Sequence, residues 1–209
     1  MKFLIDKKIL RDINRRNEPS RSPSSITGFV FKRIMAYLMG SIDRKLSVPR
    51  VKGTRWDFYV DSDHAGDAVS RRSRTGVLIF CGMAPILWHS KKQGSIETSS
   101  FGSELSAMKT AVELVEGLRH KLRMMGVPLD GQCHVKADNM SVIHNCSNPT
   151  SQLKKKSNSI AHHYVRERCA GKTPVCCISC TPTDLNLSDA LTKSQPGPVR
   201  KRLMEKVLY

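Results

Sequence analysis

The chain has 209 residues, 39% hydrophobic and 25% charged, which suits one domain of ordinary size with an extension and excludes a disordered tail. Its 35 lysines and arginines outnumber 18 aspartates and glutamates, a formal net charge of +17 that favours polyanions such as nucleic acid. No apolar run approaches the ~18 residues of a membrane span, "MKFLI" meets Asp6, Lys7 and Lys8 before a signal-peptide core forms, and seven cysteines, an odd number, fit free thiols in a reducing compartment. A membrane partner and secretion are therefore not expected.

Residues 1–25 are polar and rich in Arg, Pro and Ser, which predicts a loosely ordered lead-in. In "FVFKRIMAYLMGSI" the apolar positions Phe31, Ile34, Met35 and Leu38 step by three and four, predicting a packing helix that stops at Gly40. From Arg55 the period becomes two: Trp56, Phe58 and Val60 face one way, Asp57, Tyr59 and Asp61 the other. That is a strand ending at the aspartates of "FYVDSDHAGD". "TGVLIFC" and "APILWHS", joined by "GM", predict a tight antiparallel hairpin. Ser99 or Ser100 then caps a long helix whose stripe is Phe101, Leu105, Met108, Val112 and Val115, running up to Gly126 and Pro128.

"CHVKAD" reads as a fourth strand ending at Asp138, followed by a short helix from Asn139 to about Cys146, basic "LKKK", and a helical stretch from Ser159 to Cys169. "PVCCISCTP" makes a fifth strand. The tail, "NLSDALTK" and "PVRKRLMEKVL", is helical with a Pro-Gly-Pro break between its two parts. Three strands in hairpin order, then helix, strand, helix, strand and helix, imply an α/β domain with a mixed sheet and right-handed crossovers.

Sites in open α/β sheets form beyond the carboxyl ends of parallel strands. Asp61 and Asp138 end two strands that the long crossover helix makes parallel neighbours, the alternative for Asp138 being a cap on the next helix. Glu104, in the first turn of the long helix, sits about 60° from the centre of the apolar stripe and leans toward the sheet. The alternative is an exposed glutamate favoured by the positive N-terminal end of the helix, and Glu116 has a similar offset without being a candidate, so the angle alone does not decide. Asp189 in "NLSDALTK" also reads as a helix-surface or capping acid. Taken together, acids gathered against their own repulsion need cations, and hard divalent ions such as magnesium take oxygen ligands. Carboxylates in this number suit two ions about 3.5–4 Å apart, the arrangement for in-line attack on a phosphodiester.

Other residues carry less. Cys176, Cys177 and Cys180 lack a partner C-x-x-C pair and fit a buried strand better than a zinc site. His162 and His163 have no ligand spacing and read as structural or surface residues. Arg71, Arg72, Arg74, Lys91, Lys92 and Lys154 to Lys156 are candidates for phosphate contacts, with solvated loops as the alternative.

"YVDSDHAGD", "RRSRTGVLIF", "WHSKKQGSIETSSFGSEL", "KADNMSV" and "PTDLNLSDALTK" resemble, in order and spacing, the ribonuclease H region at the end of the polyprotein of copia-type LTR retrotransposons. The match runs from about Tyr59 to Lys193. It implies a ribonuclease H-like fold: a mixed five-stranded sheet, three antiparallel strands and then parallel crossovers, flanked by helices. It also implies that Asp61, Glu104, Asp138 and Asp189 are catalytic, metal-binding acids holding two Mg2+ ions, with Mn2+ as a substitute. The expected partners are an RNA/DNA hybrid, whose RNA strand is cut to 3′-hydroxyl and 5′-phosphate ends, and the reverse transcriptase portion of the same polyprotein. The expected location is intracellular, in a cytoplasmic virus-like particle or the nucleus.

"FKRIMAYLMGSID" is similar to the segment linking reverse transcriptase to ribonuclease H, so this chain is expected to start late in such a polyprotein. Residues 1–50 are then a lead-in and connecting helix, 51–195 the ribonuclease H-like domain, and 196–209 a C-terminal helical tail. The polymerase motif Y-x-D-D does not occur, and polymerisation is not expected. Ser157 and Asn158 stand where relatives often carry histidine, His64 where Trp or Phe is usual, and Ser188 in place of an Ala. The other reading is a nucleic-acid-binding remnant that keeps the fold without turnover.

Overall fold

The alternation that begins at Trp56 becomes strand β1 (Trp56–Asp63), with Phe58 and Val60 fully buried. Next comes a hairpin of β2 (Arg74–Cys81) and β3 (Ala84–Lys92), closed at Gly82, whose φ of +61° a glycine adopts without steric penalty. "VLIF" in β2 does not alternate because both faces of the strand are covered. Val77 and Ile79 enter one core, Leu78 and Phe80 a second.

The remaining elements, in this computed structural model, are α1 (Ser100–Met124), β4 (Cys133–Ala137), α2 (Met140–Ser147), α3 (Ser159–Ala170), β5 (Cys176–Cys180), a 3-10 turn (Thr183–Leu185), α4 (Asp189–Thr192) and α5 (Gly197–Met204). The structure describes residues 32, 35–40, 42–43, 55–129, 131–148, 150–151, 153 and 158–207. The chain divides into two compact units, residues 1–45 with 209, and residues 46–208. In the first, residues 35–40 are helical. The expectations for residues 1–25, for Phe31 and Ile34, and for Lys154 to Lys156 lie outside the described residues.

The sheet has the order β3-β2-β1-β4-β5. β1 pairs antiparallel with β2 and parallel with β4, and β4 pairs parallel with β5. This is the mixed α/β sheet expected from the order of elements. Leu105, Met108, Val112 and Val115 of α1 pack on Phe58, Val60, Val77, Ile79 and Val135, and α2 and α3 complete that layer. Each such side chain stabilises the fold by about 1.5–3 kcal/mol when fully buried. On the other face Leu78 and Phe80 meet Leu187, Leu203 and Val207, so the segment after β5 folds back across β2. That return brings α4 to the end of β1.

Several boundaries differ from the sequence reading for identifiable reasons. β1 runs two residues past Asp61, because Ser62 and Asp63 pair with Thr75 and Arg74 and the Asp63 carboxylate accepts the Arg74 N–H. β4 stops at Ala137, one residue before Asp138. Asn139, and not Asp138, caps α2: its Oδ1 accepts from the Ser141 and Val142 N–H groups at 3.1 and 3.2 Å. Glu116, the acid with an angular offset similar to that of Glu104, accepts from Tyr164 and Arg168 and braces α1 against α3. His162 is buried, its Nε2 3.2 Å from the Asn145 carbonyl. All seven cysteines are free thiols.

Candidate active site

The parallel register sets the site. Tyr59 of β1 lies opposite Lys136 of β4, so two residues further along each chain Asp61 comes up beside Asp138. Glu104, expected in the first turn of α1, lies just past it, because the helix starts where the Ser99 side chain accepts the Gly102 N–H at 3.2 Å. One carboxylate oxygen from each of Asp61, Glu104 and Asp138 lies within 4.8 Å of those of the other two. Among the described residues no other group of three or more His, Cys, Asp or Glu side chains converges in this way, "CCISC" included.

Asp189, the fourth acid singled out in the sequence, reaches this group through a cation. It opens α4, and Lys193 just past that helix places its Nζ 3.0 Å from Asp189 Oδ1 and 3.2 Å from Asp61 Oδ1. The Thr192 hydroxyl donates to Asp61 Oδ2, and Gln195 Nε2 lies 3.4 Å from Asp189 Oδ2.

Burial pushes the Glu104 carboxyl up to about 9, and the negative charges of Asp61 and Asp138 add to that effect. Lys193 and a backbone hydrogen bond from Ser62 oppose it without overcoming it. Asp61 is raised too, mainly because it is fully buried, against the pull of Thr192 and Lys193. Burial works against the Lys193 charge, but Asp61 and Asp189 outweigh it and hold its pKa above the usual lysine range. The donors are all hard carboxylate oxygens, mutually repelling, with one ammonium among them. This set fits a hard divalent cation.

Two contacts hold α4 in place. A Cβ on Gly76 of β2 would lie 2.7 Å from Thr192 Cγ2 and 3.0 Å from the Ser188 carbonyl, so only a glycine lets α4 approach this closely. Asn186 is buried, donates from Nδ2 to the Val60 carbonyl at 2.9 Å, and accepts from the Ser188 hydroxyl at 2.6 Å. Ser188 therefore has a hydrogen-bonding role that an alanine would lack.

The turn after β1 is built by its other acids. Asp67 accepts from Ser70 N–H and hydroxyl and pairs with Lys92 at 2.6 Å, contacts that hold its carboxyl well below the usual range. Of the basic candidates, Lys92 is thus engaged, Arg74 lies 3.4 Å from Ser90 Oγ, and Arg71, Arg72 and Lys91 are exposed. Reasoning from sequence missed Lys193, Thr192 and Asn186 as part of the site. For Lys193 a signal existed, since it stands four residues after Asp189, the spacing of a helical ion pair.

No protein-family profile matches the chain. Among solved structures it resembles ribonuclease H1 of the halophilic archaeon Halobacterium salinarum, with a TM-score of 0.50 and 16% identity over 66% of this chain and 94% of that one. It also resembles LC11-RNase H1 in complex with an RNA/DNA hybrid, with a TM-score of 0.52 and 16% identity over 66% and 94% of the two chains. The fold is therefore ribonuclease H-like.

In sequence the chain is 26% identical over 182 residues to the retrovirus-related Pol polyprotein from transposon RE2 of Arabidopsis thaliana, covering 87% of this chain. It is 31% identical over 171 residues to that from transposon TNT 1-94 of Nicotiana tabacum, covering 79%. The chain is a homologue of copia-type, retrovirus-related Pol polyproteins, and it spans 12% of the length of these relatives.

Proposed function

We propose that this chain is a retrotransposon ribonuclease H that hydrolyses the RNA strand of RNA/DNA hybrids during reverse transcription. The observation that carries this reading is the convergence of Asp61, Glu104 and Asp138 at the carboxyl end of two parallel strands of a ribonuclease H-like sheet. The Pol homology and the fold shared with an enzyme seen on an RNA/DNA hybrid support it. Residues 51–195 carry the activity in this reading, 1–50 lead in from a reverse transcriptase portion, and 196–209 form the tail.

Asp61, Glu104, Asp138 and Asp189 would hold two magnesium ions, or manganese in their place. When bound, such ions lower the pKa of water and offset charge on phosphodiester oxygens. The chain's own residues supply the frame. Thr192 and Lys193 orient Asp61, and Glu104, whose pKa burial raises to about 9 in the metal-free chain, would have to lose its proton to serve as a ligand. Arg71, Arg72 and Lys91 are exposed and attract the phosphate backbone.

The test is a hybrid with a labelled RNA strand, incubated with the protein and magnesium salt. The expected products are RNA fragments with 5′-phosphate ends, an intact DNA strand, and no cutting in EDTA. Tight hybrid binding without cutting would replace this reading with that of a non-catalytic nucleic-acid binder.

A further inference from the structure

One buried amide touches the chain neighbours of two of the acids. Gln93 follows β3, is 7% exposed, and donates its backbone N–H to the Ser73 carbonyl at 2.7 Å. Its side-chain Nε2 lies 2.9 Å from the Ser103 carbonyl, 3.1 Å from Thr75 Oγ1 and 3.3 Å from Ser62 Oγ. Ser62 directly follows Asp61, and its backbone hydrogen-bonds the Glu104 carboxylate. Ser103 directly precedes Glu104. All three partners are buried.

The orientation of this amide is determined by its surroundings. Turned over, it would point its oxygen at the Ser103 carbonyl, acceptor against acceptor, so the NH2 must face α1. Its Oε1 then has no partner among the described residues, although it is buried. A buried carbonyl without a partner is unfavourable, so the donor contacts have to outweigh it.

We propose that Gln93 is a positioning residue that sets the spacing between Asp61 and Glu104 by tethering β1 and β2 to the first turn of α1. This rests on the metal-dependent reading of the site. Gln93→Met keeps the length and removes the donor. Calorimetry of the full chain with manganese alone is expected to show about tenfold weaker binding, the lower end of what lost outer-shell support does. The manganese needed for half-maximal hybrid cleavage should rise by a similar factor, while excess metal restores much of the rate.

Gln93→Met that unfolds more easily in EDTA but binds manganese as the wild type does would overturn the proposal, leaving Gln93 a structural residue. If that variant fails to fold, Ser62→Ala and Thr75→Val take its place. Each removes one hydroxyl that the Gln93 amide contacts, and each should weaken manganese binding several-fold. Wild-type manganese binding by both would also overturn the proposal. A wild-type chain that neither binds manganese nor cuts hybrid would instead sink the underlying reading of the site.

Discussion

Lys193 stands 132 residues from Asp61 along the chain, yet its Nζ lies 3.2 Å from Asp61 Oδ1, and it is the cation that links Asp61 to Asp189. Asp61 is fully buried while the lysine side chain is 40% exposed, so water shares part of the compensation. Lys193→Met is expected to destabilise the metal-free protein by about 1–3 kcal/mol, below the usual loss for breaking a fully buried pair. Urea unfolding in EDTA measures this. Added magnesium should narrow the difference, and equal stability of the two proteins in EDTA would show that the bridge contributes nothing.

Gly76→Ala tests how α4 is seated. The new methyl would collide with Thr192 Cγ2, Leu191 Cβ and the Ser188 carbonyl, and a backbone atom cannot rotate away. A loss of about 1–3 kcal/mol is expected from overpacking. Cleavage should fall by more than stability alone explains, because Thr192 and Lys193 move off Asp61. Wild-type activity at a temperature where the variant is folded would contradict this.

The pH dependence of stability has a definite sign. An unfolded Glu104 titrates near 4.5, whereas burial and its acidic neighbours raise the folded group to about 9. Between those values the folded state holds a proton that the unfolded state has lost, so stability falls as pH rises through the window and flattens above it. The slope from this one group is at most about 1.4 kcal/mol per pH unit. Metal-free unfolding measured across the window should show a shallower decline for Glu104→Gln than for the wild type. Parallel curves would place the Glu104 pKa elsewhere.

Much of this architecture is legible in one dimension. Period-two alternation exposes β1, and the stripe from Phe101 to Val115 exposes α1. The crossover helix between β1 and β4 pointed to parallel neighbours, and that pairing brings Asp61 beside Asp138, one residue past β4. Glu104 was less legible, because Glu116 is offset by a similar angle from the apolar stripe, and folding gives Glu116 other partners, Tyr164 and Arg168. The contacts of Gln93 and Asn186, and the contact of Lys193 with Asp61, were not legible. Each joins segments far apart in the chain, and hydrophobic periodicity carries no record of which distant carbonyl or carboxylate a polar side chain will meet. The end of β1 moved for a similar reason, since the pairing of Asp63 with Arg74 depends on the partner strand.

The acids joined at the end of β1 and β4 are proposed to perform metal-dependent hydrolysis of the RNA strand. Asp138→Asn tests it most directly, because Asp138 takes no part in capping α2 and its replacement should leave the fold intact. Magnesium-dependent cleavage of an RNA/DNA hybrid should fall by roughly a hundredfold or more while hybrid binding in EDTA is unchanged. Cleavage by the variant at the wild-type rate would contradict the proposal.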